Sequence, residues 1–193
     1  SLSRRQRQMC IRDRFMILAS LPFVLYLKAI RGKPKDLIGD QQVQGFFKIL
    51  VVSILIVVFY LFLTSNFTFT EILRYSLFNV TSILTGTGFT STNYNDWGTP
   101  IILLFLFITF IGGCAGSTTC GVKIFRLQIV FNNSKEMISK LISPNRVVNK
   151  RYNGEHLSPE ITQSVITFLF IFILTVIILS ILLSFTGLDL LTA

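Results

Sequence analysis

Residues 161–185 form a run of 25 positions without one charged side chain. No other feature constrains the chain as strongly. As a helix rising about 1.5 Å per residue, the run is long enough to cross the roughly 30 Å hydrocarbon core of a bilayer. A single segment in that medium must satisfy its backbone N–H and C=O groups internally, which means a helix. Residues 46–64 make a second block, 19 positions with only Lys48 charged, at its edge. With 51% of 193 residues hydrophobic and the apolar positions gathered in blocks, the chain reads as an all-α integral membrane protein, not a soluble domain.

The net charge of +9 reports sidedness, not nucleic-acid binding. Five of the 18 basic residues are Arg4, Arg5, Arg7, Arg12 and Arg14. The stretch 1–14 has no apolar period and no cleavage site, so it is read as a non-native scar or a basic tail and set aside from the fold. Lys28, Arg31, Lys33, Lys35 and Lys48 crowd one region, and Lys123, Arg126, Lys135, Lys140, Arg146, Lys150 and Arg151 another. Between them, residues 64–100 hold Arg74 as their one basic residue. Positive loops lie on the cytoplasmic side. Residues 31–45 are therefore expected as a cytoplasmic linker, 132–160 as a cytoplasmic hairpin, and 65–100 outside. The apolar stretch 15–30 reads as the cytoplasmic end of an outer-to-inner helix.

The return path from outside is unusual. IILLFLFITFI, residues 101–111, spans only about 16 Å as a helix. GGCAGSTTCG follows at 112–121, and its four glycines should interrupt a helix. Irregular backbone at membrane depth survives where it is buried in protein or lines a water-filled cavity. Residues 101–131 are accordingly expected as a broken helix; the alternative is a loop at the inner interface. Residues 70–84 read as a short helix opened by a Thr68/Glu71 capping box. About 15 residues cannot span a bilayer, so a re-entrant helix is expected, with TGTGFTST (85–92) climbing back out. An internal repeat supports this: Phe67-Thr68-x-x-Glu71-Ile72-Leu73 matches Phe185-Thr186-x-x-Asp189-Leu190-Leu191 in the same sense across the membrane. Parallel repeats surround an axis along the membrane normal, a natural place for a pore.

A cation crossing a membrane must have its hydration shell replaced, and converging backbone carbonyls can do this. Aiming carbonyls inward needs unusual dihedrals, which glycine adopts freely. Thr85, Gly86, Thr87, Gly88 and Phe89 therefore read as one wall of a cation filter. Residues 75–95 carry no Asp, Glu, Lys or Arg, which excludes a charged-ring filter.

SILTGTGFTSTNYNDWGTP (82–100), followed closely by GGCAGSTTCGVKIFR (112–126), resembles the Trk potassium-uptake membrane subunits of the Trk/Ktr/HKT superfamily. The resemblance covers residues 15–193. It implies helix–re-entrant pore helix–helix repeats of potassium-channel type. Residues 15–30 would end the second repeat, 46–131 would be the third, and 161–193 would start the fourth. It implies that Gly88 is the filter glycine. It also implies that Gly112, Gly113, Cys114, Ala115, Gly116, Ser117, Thr118, Thr119, Cys120 and Gly121 form an intramembrane gating loop; Cys120 stands where the family usually has Gly. Potassium is the implied cargo, with no bound cofactor and no resident metal. The implied partners are a second copy of the chain, the lipid bilayer and a cytoplasmic nucleotide-binding regulator, in a bacterial inner membrane.

Lys123, Arg126, Lys135 and Lys140 could hold the gate or dock that regulator, and sidedness alone also explains them. Trp97 and Tyr94 are expected as anchors at the outer interface. No nucleophile–base pair or metal spacing suggests an enzyme. Other readings are a sodium-permeable member of the superfamily, a membrane anchor that docks a partner without transport, and a secondary transporter. The last expects an intramembrane ionisable residue, which 46–64 (beyond Lys48 at its edge) and 161–185 lack.

Overall fold

The computed structural model describes residues 2–32, 35–143, 151–153 and 155–185. Helices α1 (Leu2–Ala19), α2 (Phe23–Ile30), α3 (Lys35–Gly39), α4 (Gln41–Thr64) and α5 (Phe69–Leu84) precede a 3-10 turn, Tyr94–Trp97. Helices α6 (Thr99–Phe110), α7 (Ile124–Ile142) and α8 (Pro159–Ser184) follow. The described strands are two residues each: β1 (Arg151–Tyr152) pairs antiparallel with β2 (Glu155–His156). The chain forms two compact units, 1–128 and 129–193, with α7 beginning in the first and ending in the second.

Helix α4 starts where Asp40 caps it. The Asp40 carboxylate accepts from the Gln42 N–H at 2.8 Å and the Val43 N–H at 3.3 Å. Its buried stripe, Val43, Phe46, Leu50, Ile54, Val57 and Leu61, recurs every three to four residues. The opposite face is also apolar but exposed, with Val51, Leu55, Phe59 and Phe62 pointing outward. That pattern suits a helix in lipid. In the second unit, α8 buries Thr162 and Val165 and otherwise exposes apolar side chains such as Phe170 and Ile177. These two helices are long and apolar enough to span a membrane.

The core of the first unit gathers on α5, which packs against α4, α1 and α6. Ile72, Val80 and Leu84 of α5 join Phe46, Val57 and Leu61 of α4, Ile101 and Phe105 of α6, and Ile124. Burying each such side chain contributes about 1.5–3 kcal/mol in water; within a bilayer, close packing carries more of the load.

Several expectations are corrected. Residues 2–14 form the first part of α1, a conformation that leaves their reading as a non-native scar or basic tail unchanged. Residues 15–30 are two helices, broken at Ser20–Leu21–Pro22, where Pro22 lacks an N–H and restricts Leu21. The linker 31–45 holds α3 and the first turn of α4. Helix α7 runs eleven residues past 131, into the stretch read as a hairpin. Trp97 is no interface anchor: it is 7% exposed and packs edge-on against Phe105 at 6.2 Å, beside Tyr94 at 5.3 Å from the same ring. Phe105 of α6 offers a closer apolar surface than lipid. Of the repeat's second copy only Phe185 lies within the described residues, and Arg146 and Lys150 lie outside them.

Candidate functional site

Helix α5 ends because its last turn folds back on itself. The Thr87 N–H donates to the Ser82 carbonyl at 2.9 Å and the Gly86 N–H to the Ile83 carbonyl at 3.0 Å. This is the Schellman pattern, which needs a left-handed residue after the cap. Gly86 supplies it, with φ +68°. Gly86 is thus accounted for as a helix stop. Gly88 is not: it is also left-handed, φ +75°, two residues beyond what a cap requires. A Cβ placed on Gly88 meets nothing within 4 Å, so the demand there is for a dihedral, not for space.

The consequence is an asymmetry of backbone groups. The N–H groups of Thr85, Gly86, Thr87 and Gly88 donate to the carbonyls of Thr81, Ile83, Ser82 and Ser82 respectively. No carbonyl of residues 85–88 accepts a hydrogen bond among the described residues. Four donors are engaged and four acceptors are open. The side chains of Thr85 and Thr87 bond one another. The arrangement suits a cation ligand and repels an anion.

The second motif is built differently. After α6, Gly112 donates to the Val122 carbonyl at 2.9 Å and Val122 donates to the Phe110 carbonyl at 2.9 Å. These bonds pinch the ends of residues 112–121 together. The loop then fills the gap left by the α1–α2 break. The Cys114 N–H donates to the Ser20 carbonyl at 3.0 Å and the Thr118 N–H to the Ala19 carbonyl at 3.3 Å. Those carbonyls are free because Pro22 ends the helix above them. In return the Phe23 N–H donates to the Gly116 carbonyl at 3.1 Å. Gly113 sits so close that a Cβ would come within 2.8 Å of the Ser20 oxygen. The Ala115 N–H reaches the Gln42 side-chain oxygen at 2.8 Å, tying the loop to α4. The Lys123 ammonium turns inward: it donates to the Ser117 carbonyl at 3.3 Å and to the Thr119 carbonyl.

The two motifs share one cavity of about 440 Å³: Thr85, Gly86, Thr87 and Phe89 of the first and Thr118 and Thr119 of the second line it, together with Arg12, Met16, Ala19 and Ser20 among others. Nineteen residues, 93–111, separate the two motifs in sequence, and the fold brings them to one space. Cys114 is buried and Cys120 exposed. Of the basic residues, Lys123 is held by the loop, Arg126 is half-buried, Lys135 is exposed, and Lys140 pairs with Glu136 at 2.7 Å.

Sequence reasoning missed the residues that support both motifs: Ser20 and Gln42 under the loop, and Asn79 behind residues 85–91. Asn79 had a signal. It matches a glycosylation pattern, yet lies mid-helix at membrane depth, where a lone amide needs partners. Ser20 and Gln42 had none, since their partners lie about 95 and 73 residues away.

Comparison with known proteins places these features in a lineage. A family profile described as TrkH, cation transport protein, matches residues 15–192. The Trk system potassium uptake protein TrkI of Halomonas elongata is 40% identical over 179 residues, covering 93% of this chain and 36% of that protein. TrkG of Escherichia coli is 29% identical over 180 residues, again 93% of this chain and 37% of the relative. The crystal structure of the potassium transporter TrkH from Vibrio parahaemolyticus superposes with a TM-score of 0.88 at 28% identity, over 94% of this chain and 40% of that one. The chain spans a little over a third of the length of these relatives.

Proposed function

The chain belongs to the TrkH family of cation transport proteins and is a membrane protein, and from this premise we propose that its full-length form conducts potassium across the cytoplasmic membrane of a bacterium. Residues 85–89 supply one wall of a backbone-carbonyl filter. Residues 112–121 form a gate on the inner side of the same cavity. The role is transport, not catalysis; the cargo is K+, and the chain holds no cofactor of its own. A second copy of the chain and a cytoplasmic nucleotide-binding regulator complete the working assembly, with Lys135 and Lys140 as exposed candidates for the regulator's contact.

One observation carries the reading: among the described residues every N–H of residues 85–88 is engaged by α5 while none of their carbonyls is, and Thr85, Gly86 and Thr87 line a cavity shared with the second Gly-rich motif. Dehydrating a monovalent cation demands such oxygens, several from each wall. The test uses the complete gene in a bacterium lacking its own potassium uptake. Gly88→Asp should reduce growth at low potassium to the level of the empty host, because it removes the left-handed residue and adds a charge at the ion path. Normal growth with normal potassium flux refutes the filter assignment.

A further inference from the structure

Asn79 is 1% exposed in the middle of α5, on the face toward the returning chain. Its Nδ2 donates to the Tyr75 carbonyl at 2.9 Å and to the Ser91 hydroxyl at 2.9 Å. Its Oδ1 accepts from the Ser91 N–H at 3.1 Å. The Ser91 N–H can only donate, so the amide oxygen must face it, and the orientation of the group follows. One side chain thus grips both the backbone and the side chain of a residue twelve positions on.

The place of the grip matters more than its strength. Segment 85–88 leaves α5 through N–H bonds to Thr81, Ser82 and Ile83. Ser91 lies three residues past Gly88. The segment with the open carbonyls is therefore held at its start by the helix end and just past its far end by Asn79. Only an amide makes all three bonds. A carboxylate could accept from both Ser91 groups but could not donate to the Tyr75 carbonyl, and a hydroxyl cannot span both Ser91 groups. Ion discrimination by carbonyls depends on their spacing and number, so a support that fixes the strand's return acts on selectivity without touching the ion.

We propose that Asn79, through Ser91, is the positioning residue that sets the carbonyl geometry of residues 85–88 and with it the discrimination of potassium from sodium. This rests on reading 85–88 as a filter wall. The complete transporter, in membranes of the uptake-deficient host, is assayed for potassium and sodium flux, with membrane protein quantified by immunoblot. Asn79→Ala should lower the potassium-to-sodium ratio about tenfold and Ser91→Ala about threefold, the range that one or two buried hydrogen bonds permit. Ser91→Thr, which keeps hydroxyl and N–H, should retain the parental ratio. The Asn79→Ala/Ser91→Ala pair should match Asn79→Ala alone, since both changes remove one shared interaction. Should Asn79→Ala fail to reach the membrane, the contrast of Ser91→Ala with Ser91→Thr decides. Equal ratios in Ser91→Ala, Ser91→Thr and parent overturn the proposal. Gly88→Ser, measured beside them, separates the two levels. If it shifts the ratio and the Asn79 and Ser91 variants do not, the clamp falls and the filter stands. If it too leaves the ratio unchanged, the filter reading falls and takes the clamp with it.

Discussion

Residues 85–92 and 112–121 have nearly the same chemistry on paper. Both are charge-free, both are rich in Gly, Thr and Ser, and both face one cavity. Their backbones do opposite things. In the first, residues 85–88 engage their N–H groups on α5, and none of their carbonyls accepts a hydrogen bond among the described residues. The second engages both kinds of group: its N–H groups go to Ser20, Ala19, Gln42 and Val122, and its carbonyls receive Phe23, Ile124 and the Lys123 ammonium. Composition therefore does not say what a Gly-rich segment is for; the fate of its hydrogen-bonding groups does. A segment with open acceptors can take a cation. A segment bonded through both kinds of group is held in place, and moving it means breaking bonds.

Four perturbations sharpen that contrast. The largest effect is expected at residues 112–121. Gly113→Val drives a side chain into the Ser20 backbone oxygen, which cannot yield as a side chain would. The complete transporter should accumulate in membranes at a small fraction of the parental level, by immunoblot; parental amounts would show that the loop is not seated on the α1–α2 break. Next is Lys123→Met, which leaves the Ser117 and Thr119 carbonyls without their cation. Backbone amide exchange across 112–122 should speed by roughly tenfold, about 1.4 kcal/mol of local opening. Exchange across 81–92 should not change. Equal acceleration of both segments would erase the distinction between them.

Smaller effects are expected at the helix ends. Gly86→Ala forces a left-handed alanine into the Schellman turn and should destabilise by about 1–2 kcal/mol, whereas Gly86→Asn should cost less. Thermal midpoints of the detergent-solubilised protein test the order of the two. The smallest belongs to Glu71, whose carboxylate accepts from the Thr68 hydroxyl at 2.6 Å and N–H at 3.1 Å. Those bonds hold its pKa below the ordinary carboxylate value. A depressed folded-state pKa means stability present above the unfolded value and lost as pH falls through the folded one. Glu71→Gln should therefore lower the thermal midpoint slightly at neutral pH, and the gap should close once the pH falls below the ordinary carboxylate range. A gap that persists there would assign the effect to packing, not to charge.

Much of the molecule was legible from local patterns. The two spanning helices follow from length and charge alone, because a bilayer sets both. The start of α5 at Thr68 and its stop at Gly86 follow from residues within one turn. The misread stretches share a cause. The α1–α2 break was masked by an apolar run in which Pro22 is the only warning, and the late end of α7 by a polar surface that suits a helix and a loop alike. Trp97 was assigned to the outer interface because its neighbour Phe105 lies eight positions on, across a turn.

The order of residues by itself determined that this chain is helical, that it lives in a bilayer, and where its backbone must turn left-handed. Those outcomes rest on dihedral preference, helix caps and the thickness of hydrocarbon, all of which act within a few residues or one span. Tertiary structure alone decided which carbonyls stay open and which are covered. Ala19 meets Thr118, Gln42 meets Ala115 and Asn79 meets Ser91 across gaps that no spacing rule encodes, and a hydrogen bond exists only where packing has already brought donor and acceptor within about 3 Å.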